Sequence, residues 1–314
     1  MTTTSMETAT KELATANKPR RRRGGDSGPV GSQTTASKVM GWVSTIIAHG
    51  FLIFWALVVL VPMIWALMNS FKTSGEIMGD PWALPAVPQF ENYVRAWNTA
   101  QFGDFFVNTI LIVGVSLIAT LLLASLAAFA LAKFRFPGRG LVFGLIVGSF
   151  TFPVVLALVP LFFIMQNLGL FNSRIGLTIV YIAFGLPFSM FFLTAFFRSI
   201  PDELMEAARV DGCSYWGTFF RIMLPLAKPG LISVGIFNFM SMWSQYILPL
   251  VLITDKDKYV LGLGVAKLSV DQGYRADWGA LFAGMVIAMV PVLIVYTVFQ
   301  RQVQSGITAG AVKA

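Results

Sequence analysis

Cysteine and histidine are almost absent from this chain. Its 314 residues include one cysteine, Cys213, and one histidine, His49. A lone cysteine cannot form an internal disulfide, and metal or thiol chemistry needs partner residues that the sequence does not supply. The Gly-x-x-x-x-Gly-Lys-Ser/Thr pattern of a nucleotide-binding phosphate loop is missing as well. These absences argue against an enzyme and against an ATP site within this chain.

Charge is also scarce, and it is segregated. Only 12% of the residues are charged and 56% are hydrophobic, with a mean hydropathy of +0.73, whereas about 25% of residues are charged in soluble proteins. A helix needs about 20 apolar residues to cross a bilayer. Six segments reach that length without one Asp, Glu, Lys or Arg: Gly41–Met68, Phe106–Ala132, Leu141–Met165, Ile175–Phe197, Leu231–Ile253 and Ala280–Phe299. The sequence therefore predicts an all-α membrane protein with six transmembrane helices.

The remaining charges predict the orientation of those helices. Sixteen of the 23 Lys and Arg residues lie in the N-terminal tail, in the loops after the second and fourth segments, and in the C-terminal tail. The other loops hold seven. Cytoplasmic loops carry the excess of Lys and Arg. We therefore expect both termini to be cytoplasmic, together with residues 198–228, the loop after the fourth segment.

The basic N-terminal tail is predicted to be disordered over residues 1–40, because it is polar and lacks apolar periodicity. The run Arg20–Arg23 is compatible with nucleic-acid binding, but an anchor beside anionic lipid is the simpler interpretation. We therefore expect no nucleic acid partner. The apolar run that follows is too long for a cleaved signal peptide, so residues 41–314 are predicted to form one six-span domain.

The loop 198–228 carries signals for two short helices. Pro201 fits the first turn of a helix that Ser199 could cap. Gly212 is typical of the left-handed residue at which a helix stops. Ser214 is predicted to cap a second helix, which Pro225 ends. The apolar side of this second helix is predicted to consist of Trp216, Phe219, Phe220 and Met223.

This loop resembles the EAA loop of ABC-transporter permeases, whose pattern is Glu-Ala-Ala, three residues, Gly, nine residues, Ile, one residue, Leu-Pro. The pattern is matched at every spacing by Glu206, Ala207, Ala208, Gly212, Ile222, Leu224 and Pro225. The resemblance implies the type I importer permease fold, with a coupling helix that docks on a cytoplasmic ATPase dimer. ATP and Mg would be bound by that partner, so we expect no cofactor in this chain. We call residues 198–228 the coupling loop.

Three further stretches resemble maltose-type carbohydrate uptake permeases, and more closely the second permease of the pair: Phe152–Leu170, Tyr181–Phe188 and Gly306–Lys313. The likeness covers residues 41–314, with a core permease region at about 106–301. It implies a bacterial cell membrane location, a sister permease, the ATPase dimer and an extracytoplasmic sugar-binding protein. The segment Thr254–Gly279 is expected either to contact that sugar-binding protein or simply to face solvent.

Polar residues of the fifth segment are candidates for the translocation pathway. Asn238, Ser241 and Gln245 fall at i, i+3 and i+7, which is one face of a helix. Trp243 and Tyr246 lie close by in sequence. Amides and aromatic faces suit an uncharged sugar. The same residues could equally hold helices together through interhelical hydrogen bonds, and the sequence leaves both interpretations open.

Other functions are weaker matches. An ion-coupled secondary transporter usually needs ionisable residues at membrane depth, and the six segments contain none of Asp, Glu, Lys or Arg. A membrane-embedded enzyme would need a constellation that one histidine cannot supply. A permease of the same type for peptides or amino acids is the nearest alternative to sugar, because it would share the coupling loop.

Overall fold

The computed structural model describes residues 35–149, 152–271 and 277–311, and every regular element in those ranges is helical. The predicted tail lies almost wholly outside the described residues and stays a prediction. We label the α-helices α1 (Thr35–Asn69), α2 (Ser74–Gly79), α3 (Glu91–Asn98), α4 (Phe102–Lys133), α5 (Arg139–Ser149), α6 (Val154–Asn167), α7 (Arg174–Ser199), α8 (Glu203–Val210), α9 (Tyr215–Thr218), α10 (Leu224–Leu226), α11 (Lys228–Trp243), α12 (Ile247–Leu252), α13 (Leu261–Asp271) and α14 (Trp278–Ala311).

Four of these helices are long and apolar enough to cross a membrane: α1, α4, α7 and α14. Two bent pairs reach the same length among the described residues. One pair is α5 with α6, and the other is Tyr215–Leu226 with α11, bent by 73°. The predicted all-helical membrane fold is confirmed, with four to six candidate spans. Six spans with cytoplasmic termini remain a prediction.

Two predicted spans are interrupted in the structure. The third, Leu141–Met165, is divided between α5 and α6, and Pro153 stands immediately before α6 in extended conformation. Proline suits a helix entry because it has no N–H to leave unpaired. The fifth, Leu231–Ile253, breaks after α11 and resumes as α12. A continuous fifth span was therefore the wrong prediction.

The chain divides into two compact units at Leu60. The first unit contains the early part of α1, whose described side chains are exposed. The second begins at Val61, and its most extensive helix pair is α4 with α7. One buried cluster joins α4, α6, α7 and α12; a second joins the ends of α4 and α7 to the coupling loop; a third joins α3, α4 and α14.

The segment between α1 and α4 contains the two short helices α2 and α3. Lys72 is fully buried, and its Nζ donates to the carbonyl oxygens of Asp80 (3.2 Å) and Pro81 (3.1 Å). Arg95 of α3 pairs with Asp277, just before α14, at 2.8 Å. Burial raises the pKa of Asp277, but hydrogen bonds from Arg95 and from the Ala280 N–H outweigh it and hold that pKa below its ordinary value.

The predicted outer segment 254–279 is less exposed than expected. Thr254–Asp257 is exposed. The chain then turns inward, since Val260, Leu261 and Leu263 are almost completely buried against α4 and its neighbours. Residues 272–276 lie outside the described residues. Only the first part of this segment is therefore shown to be accessible to a partner.

Helices α4 and α14 pack closely at Gly284, because glycine has no side chain. A Cβ at Gly284 would stand 2.4–2.8 Å from three ring atoms of Phe102, which is itself fully buried. We expect Gly284→Ala to lower stability by about 1–3 kcal/mol through overpacking. Thermal unfolding in detergent measures it. Gly114→Ala in α4 is the control, since nothing lies within 4 Å of that position; equal stability of the two variants would contradict the packing argument.

Candidate coupling loop and membrane cleft

The first helix of the coupling loop, α8, begins differently from the prediction. The hydroxyl of Ser199 donates to the carbonyl of Phe196 (2.7 Å) and caps nothing, so that prediction was wrong. Asp202 occupies the position before the helix, and its carbonyl accepts the N–H groups of Met205 (2.9 Å) and Glu206 (3.1 Å). The carboxylate of Asp202 is left available for another partner.

The end of α8 follows the prediction. Gly212 has φ +80°, which L-residues with a Cβ rarely adopt. The N–H of Cys213 donates to the carbonyl of Ala208 (2.9 Å) and the N–H of Gly212 to that of Arg209 (3.0 Å). These are the two bonds of a Schellman motif. The helix therefore stops at a fixed point and turns sharply.

The second half of the loop starts as predicted but ends differently. The Ser214 hydroxyl accepts the N–H of Gly217 at 3.1 Å and caps α9. Residues Phe219–Met223 then form a π-helical turn, in which the Leu224 N–H reaches the carbonyl of Phe219. Pro225 does not end the element, because it sits in the first turn of α10, where its missing N–H costs nothing. The bend comes after Leu226.

Exposure separates the matched residues of the loop into two groups. Glu206 and Ala207 are exposed, whereas Ala208 is 4% exposed and faces the rest of the chain. Gly212 and Pro225 are exposed, and Ile222 and Leu224 are half-buried. Because Ala207 is small, the solvent-exposed side of α8 leaves room for a partner to approach. Because Ala208 is small, the opposite side of α8 can pack closely against the rest of the chain.

The predicted apolar side of the second helix is also divided. Phe219 and Met223 are buried at 1% and 0% exposure. Trp216 and Phe220 are exposed, and their rings stack with centroids 6.1 Å apart, so the four residues do not form one buried side. The π-helical turn changes the face that each residue occupies, which a regular helical pattern cannot anticipate.

One charged side chain connects the loop to the long helices. The side chain of Lys133, the last residue of α4, is 2% exposed. Its Nζ donates to the carbonyl of Ile200 and to the carboxylate of Asp202, both at 2.5 Å. Close by, the ring of Tyr215 packs edge-on against Phe134. The loop is therefore attached to the end of α4 by both polar and aromatic contacts.

A cleft of about 740 Å³ lies between α6, α7, α11 and α12. Asn238, Ser241 and Gln245 of the predicted pathway all line it. None of its described lining residues is charged. The wall carries five aromatic rings, from Phe152, Tyr181, Phe184, Phe188 and Phe237. The described residues contain no group of three or more His, Cys, Asp or Glu side chains that could hold a metal ion.

The polar residues of the cleft are engaged to different degrees. Asn238 donates from Nδ2 to the Ser189 hydroxyl of α7 (2.8 Å), which connects α7 with α11, and to the Val234 carbonyl within α11 (2.9 Å). Ser241 is exposed. Gln245 accepts the Ile247 N–H through Oε1 at 3.1 Å, and its Nε2 has no hydrogen-bond partner among the described residues. Asn238 therefore contributes to helix packing, whereas the role of Ser241 and Gln245 as pathway lining stays a prediction.

The other two predicted pathway residues lie elsewhere. Trp243 is 5% exposed and donates from Nε1 to the carbonyl of Ala288 at 2.9 Å, outside the cleft lining. Tyr246 is half-exposed and lines a separate, smaller pocket beside Gly262. The break after α11 removes Tyr246 from the helical face on which its neighbours lie. These two residues are not brought together with the other three.

Sequence reasoning missed Tyr181 of α7 as a site residue. It lines the cleft, is 3% exposed, and its hydroxyl has no hydrogen-bond partner within the described part of the chain. Buried tyrosine hydroxyls usually find a partner. The spacing of polar residues along one helix cannot indicate which residue a second helix contributes to the lining of a cleft between them. The same span also contains Thr178, Ser189 and Thr194, so no hydroxyl in the sequence singled out Tyr181.

Comparison with known proteins places the chain among transport proteins. A profile described as "Binding-protein-dependent transport system inner membrane component" matches residues 120–309. The diacetylchitobiose uptake system permease protein NgcG of Streptomyces coelicolor is 50% identical over 264 residues, or 84% of this chain and 87% of that protein. The trehalose transport system permease protein SugB of Mycobacterium tuberculosis is 32% identical over 257 residues, or 81% and 92%.

The fold agrees with that placement. A chain in the crystal structure of a bacterial ABC transporter involved in the import of the acidic polysaccharide alginate aligns with a TM-score of 0.72 at 25% identity. The alignment covers 85% of this chain and 98% of that one. The profile match over residues 120–309 includes the coupling loop and all the residues of α11 and α12. On these grounds the chain belongs to the family of binding-protein-dependent transport system inner membrane components.

Proposed function

We propose that this chain is one transmembrane permease subunit of an ATP-driven importer that carries a neutral mono- or oligosaccharide into the cell. The observation that carries the proposal is α8, a short helix fixed at both ends that presents Glu206 and Ala207 to solvent. The ATPase is a separate subunit dimer, which binds ATP and Mg. This chain is not an enzyme, and its own role is to change shape.

The exposed face of the coupling loop fits a protein partner. Val210 is 87% exposed, Trp216 64% and Phe220 47%, and all three belong to the same coupling loop as Glu206. Covering such side chains removes apolar area from water at roughly 25 cal/mol per Å². Ala207 allows a partner backbone to come close, and Glu206 offers one charge. A groove on the ATPase of matching shape would bury this face.

The orientation in the membrane follows from the charge distribution. The excess of Lys and Arg lies on the side of the coupling loop, which puts α8 in the cytoplasm with both termini. In this arrangement the six spans of a bacterial inner membrane protein are the four long helices, the bent pair of α5 with α6, and the fifth segment formed by α11 and α12. The permease domain then covers residues 41–314, with its core at about 106–301 and the basic tail before it.

The cleft supports a neutral sugar as the cargo. Its lining combines aromatic rings with hydroxyl and amide groups and holds no charge among the described residues. An isolated ion is costly to place in such surroundings, which disfavours charged peptides, amino acids and acidic sugars. The two relatives above are named for diacetylchitobiose and trehalose uptake, which are both uncharged disaccharides. A non-sugar solute remains the alternative.

Two further partners complete the proposed importer. A sister permease supplies the other half of the pathway. An extracytoplasmic sugar-binding protein delivers the cargo, in keeping with the family name. The exposed residues Thr254–Asp257 are the part of the predicted contact segment that the structure leaves accessible.

The docking role of α8 predicts the effect of reversing its charge. We expect Glu206→Arg to abolish sugar uptake and the stimulation of ATP hydrolysis, because an interface that desolvates Glu206 would reject a cation. Uptake of labelled sugar by cells and ATPase activity of the purified complex are the measurements. Glu91→Arg is the matched control, since Glu91 is an exposed first-turn residue of the eight-residue helix α3. Normal uptake by Glu206→Arg would count against the coupling role.

The unpartnered hydroxyl of Tyr181 predicts a contribution to cargo recognition. Removing it with Tyr181→Phe keeps the ring and should cut transport by roughly fivefold, the equivalent of one hydrogen bond of about 1 kcal/mol. Sugar-stimulated ATPase activity, measured with diacetylchitobiose, trehalose, an acidic oligosaccharide and a dipeptide, tests both the residue and the cargo.

The control for that series is Tyr296→Phe, because Tyr296 lies on α14 with 47% exposure and outside the cleft lining. We expect the wild-type complex to respond to a neutral saccharide and Tyr296→Phe to behave like it. A response to the dipeptide alone would replace sugar with a peptide cargo.

A further inference from the structure

Lys133 is a buried cation at the junction of three helices. Its side chain is 2% exposed, although it ends a helix beside the exposed coupling loop. Burying an ammonium group is costly unless hydrogen bonds and an opposite charge compensate it. Here the compensation comes from the Ile200 carbonyl and the Asp202 carboxylate, each 2.5 Å from Nζ. Such a position indicates a specific role for the charge.

The two acceptors belong to different elements. Ile200 is the residue that ends α7, and its own N–H bonds back to the Phe197 carbonyl. Asp202 is the residue that begins α8, and its carbonyl accepts the N–H of Glu206. Lys133 itself is the last residue of α4. A single ammonium group therefore joins the ends of two spanning helices to the start of the helix that carries Glu206.

Apolar packing at the same junction cannot replace this contact. The rings of Phe129, Phe197 and Phe219 lie 5.3–6.5 Å apart, centre to centre, and pack the loop against α4 and α7. Apolar contact is non-directional, so it resists separation better than sliding. A hydrogen bond weakens steeply when its geometry changes. The ammonium contacts are therefore what fixes the register of α8 against the two spans.

No second polar link duplicates the first among the described residues. Between residues 202–226 and the spanning helices, the described side chains make one hydrogen-bonded contact, from Lys133 to Asp202. The other side-chain hydrogen bonds described for residues 202–226 stay within that range, such as those of Ser214. Loss of Lys133 would leave α8 supported only by packing.

We propose that Lys133 is a positioning residue for coupling, which makes α8 move as one body with the adjacent ends of α4 and α7. The inference rests on the proposed function, since it assumes that an ATPase moves α8. Because α7 carries Tyr181 and Gly185 of the cleft, a displacement of α8 then reaches the cleft wall without slippage. Without the ammonium group, part of each displacement is lost, and ATP is hydrolysed with less sugar moved.

The test measures sugar transported per ATP hydrolysed by the full complex in proteoliposomes, with the sister permease, the ATPase and the sugar-binding protein present. We expect Lys133→Met to lower this ratio several-fold while the ATPase still co-purifies in normal amount. Lys133→Arg keeps the cation and should recover most of the ratio. Arg135→Met is the control, because Arg135 is an exposed cation two residues after Lys133 and lies outside the coupling loop.

Asp202 provides a second, independent variant. Asp202→Ala leaves the buried ammonium with one acceptor and should also lower the ratio. The double variant Lys133→Met with Asp202→Ala should be no worse than Lys133→Met alone, since both changes remove the same contact. Fully additive losses would show two separate roles and overturn the proposal.

Two other outcomes also decide against it. A wild-type ratio in Lys133→Met overturns the proposal directly. Loss of the ATPase from the purified Lys133→Met complex overturns it too, because the residue would then act on assembly. Glu206→Arg in the same assay distinguishes failure of the proposed function from failure of the role of Lys133. Normal uptake by Glu206→Arg refutes the proposed function itself. Abolished uptake by Glu206→Arg together with a normal ratio in Lys133→Met refutes only the role of Lys133.

Discussion

Backbone groups inside a bilayer have no water to bond with, so each N–H and C=O must find a partner within the protein. That constraint accounts for the helical character of the described chain and for the places where helices can break. The break between α11 and α12 lies beside the cleft, and the Gln245 side chain accepts the Ile247 N–H that the break releases. Proline at Pro153 enters α6 without leaving a donor. Irregular backbone occurs where the protein itself can compensate for it.

Features set by local chemistry could be predicted from the sequence. The length of the uncharged segments located the long helices, and the predicted sixth span, Ala280–Phe299, lies within α14. Gly212 and Ser214 behave as expected because a left-handed stop and a side-chain cap involve only a few neighbouring residues. Ser199 was misjudged because its hydroxyl had a nearer acceptor one turn back. The breaks in the third and fifth spans depend on the packing around them, and the length of an apolar segment does not show where its helix is interrupted.

The candidate sites show the same division. The matched residues of the coupling loop were found by their spacing, yet the opposite orientations of Ala207 and Ala208 appear only when α8 is packed against its support. Gln245 does line the cleft, although the continuous helical face that predicted it does not exist. Tyr181 was missed because a cleft between helices collects residues that are distant in sequence.

The uncharged lining of the cleft has an electrical consequence. A hydrated ion that entered it would meet aromatic rings, hydroxyls and amides but no fixed counter-charge among the described residues, and so would give up its water shell for little in return. A polar but uncharged solute meets no such penalty. In the proposed importer, a pathway of this composition would pass a neutral cargo while conducting protons and salts poorly, so that uptake would preserve the membrane potential of the cell.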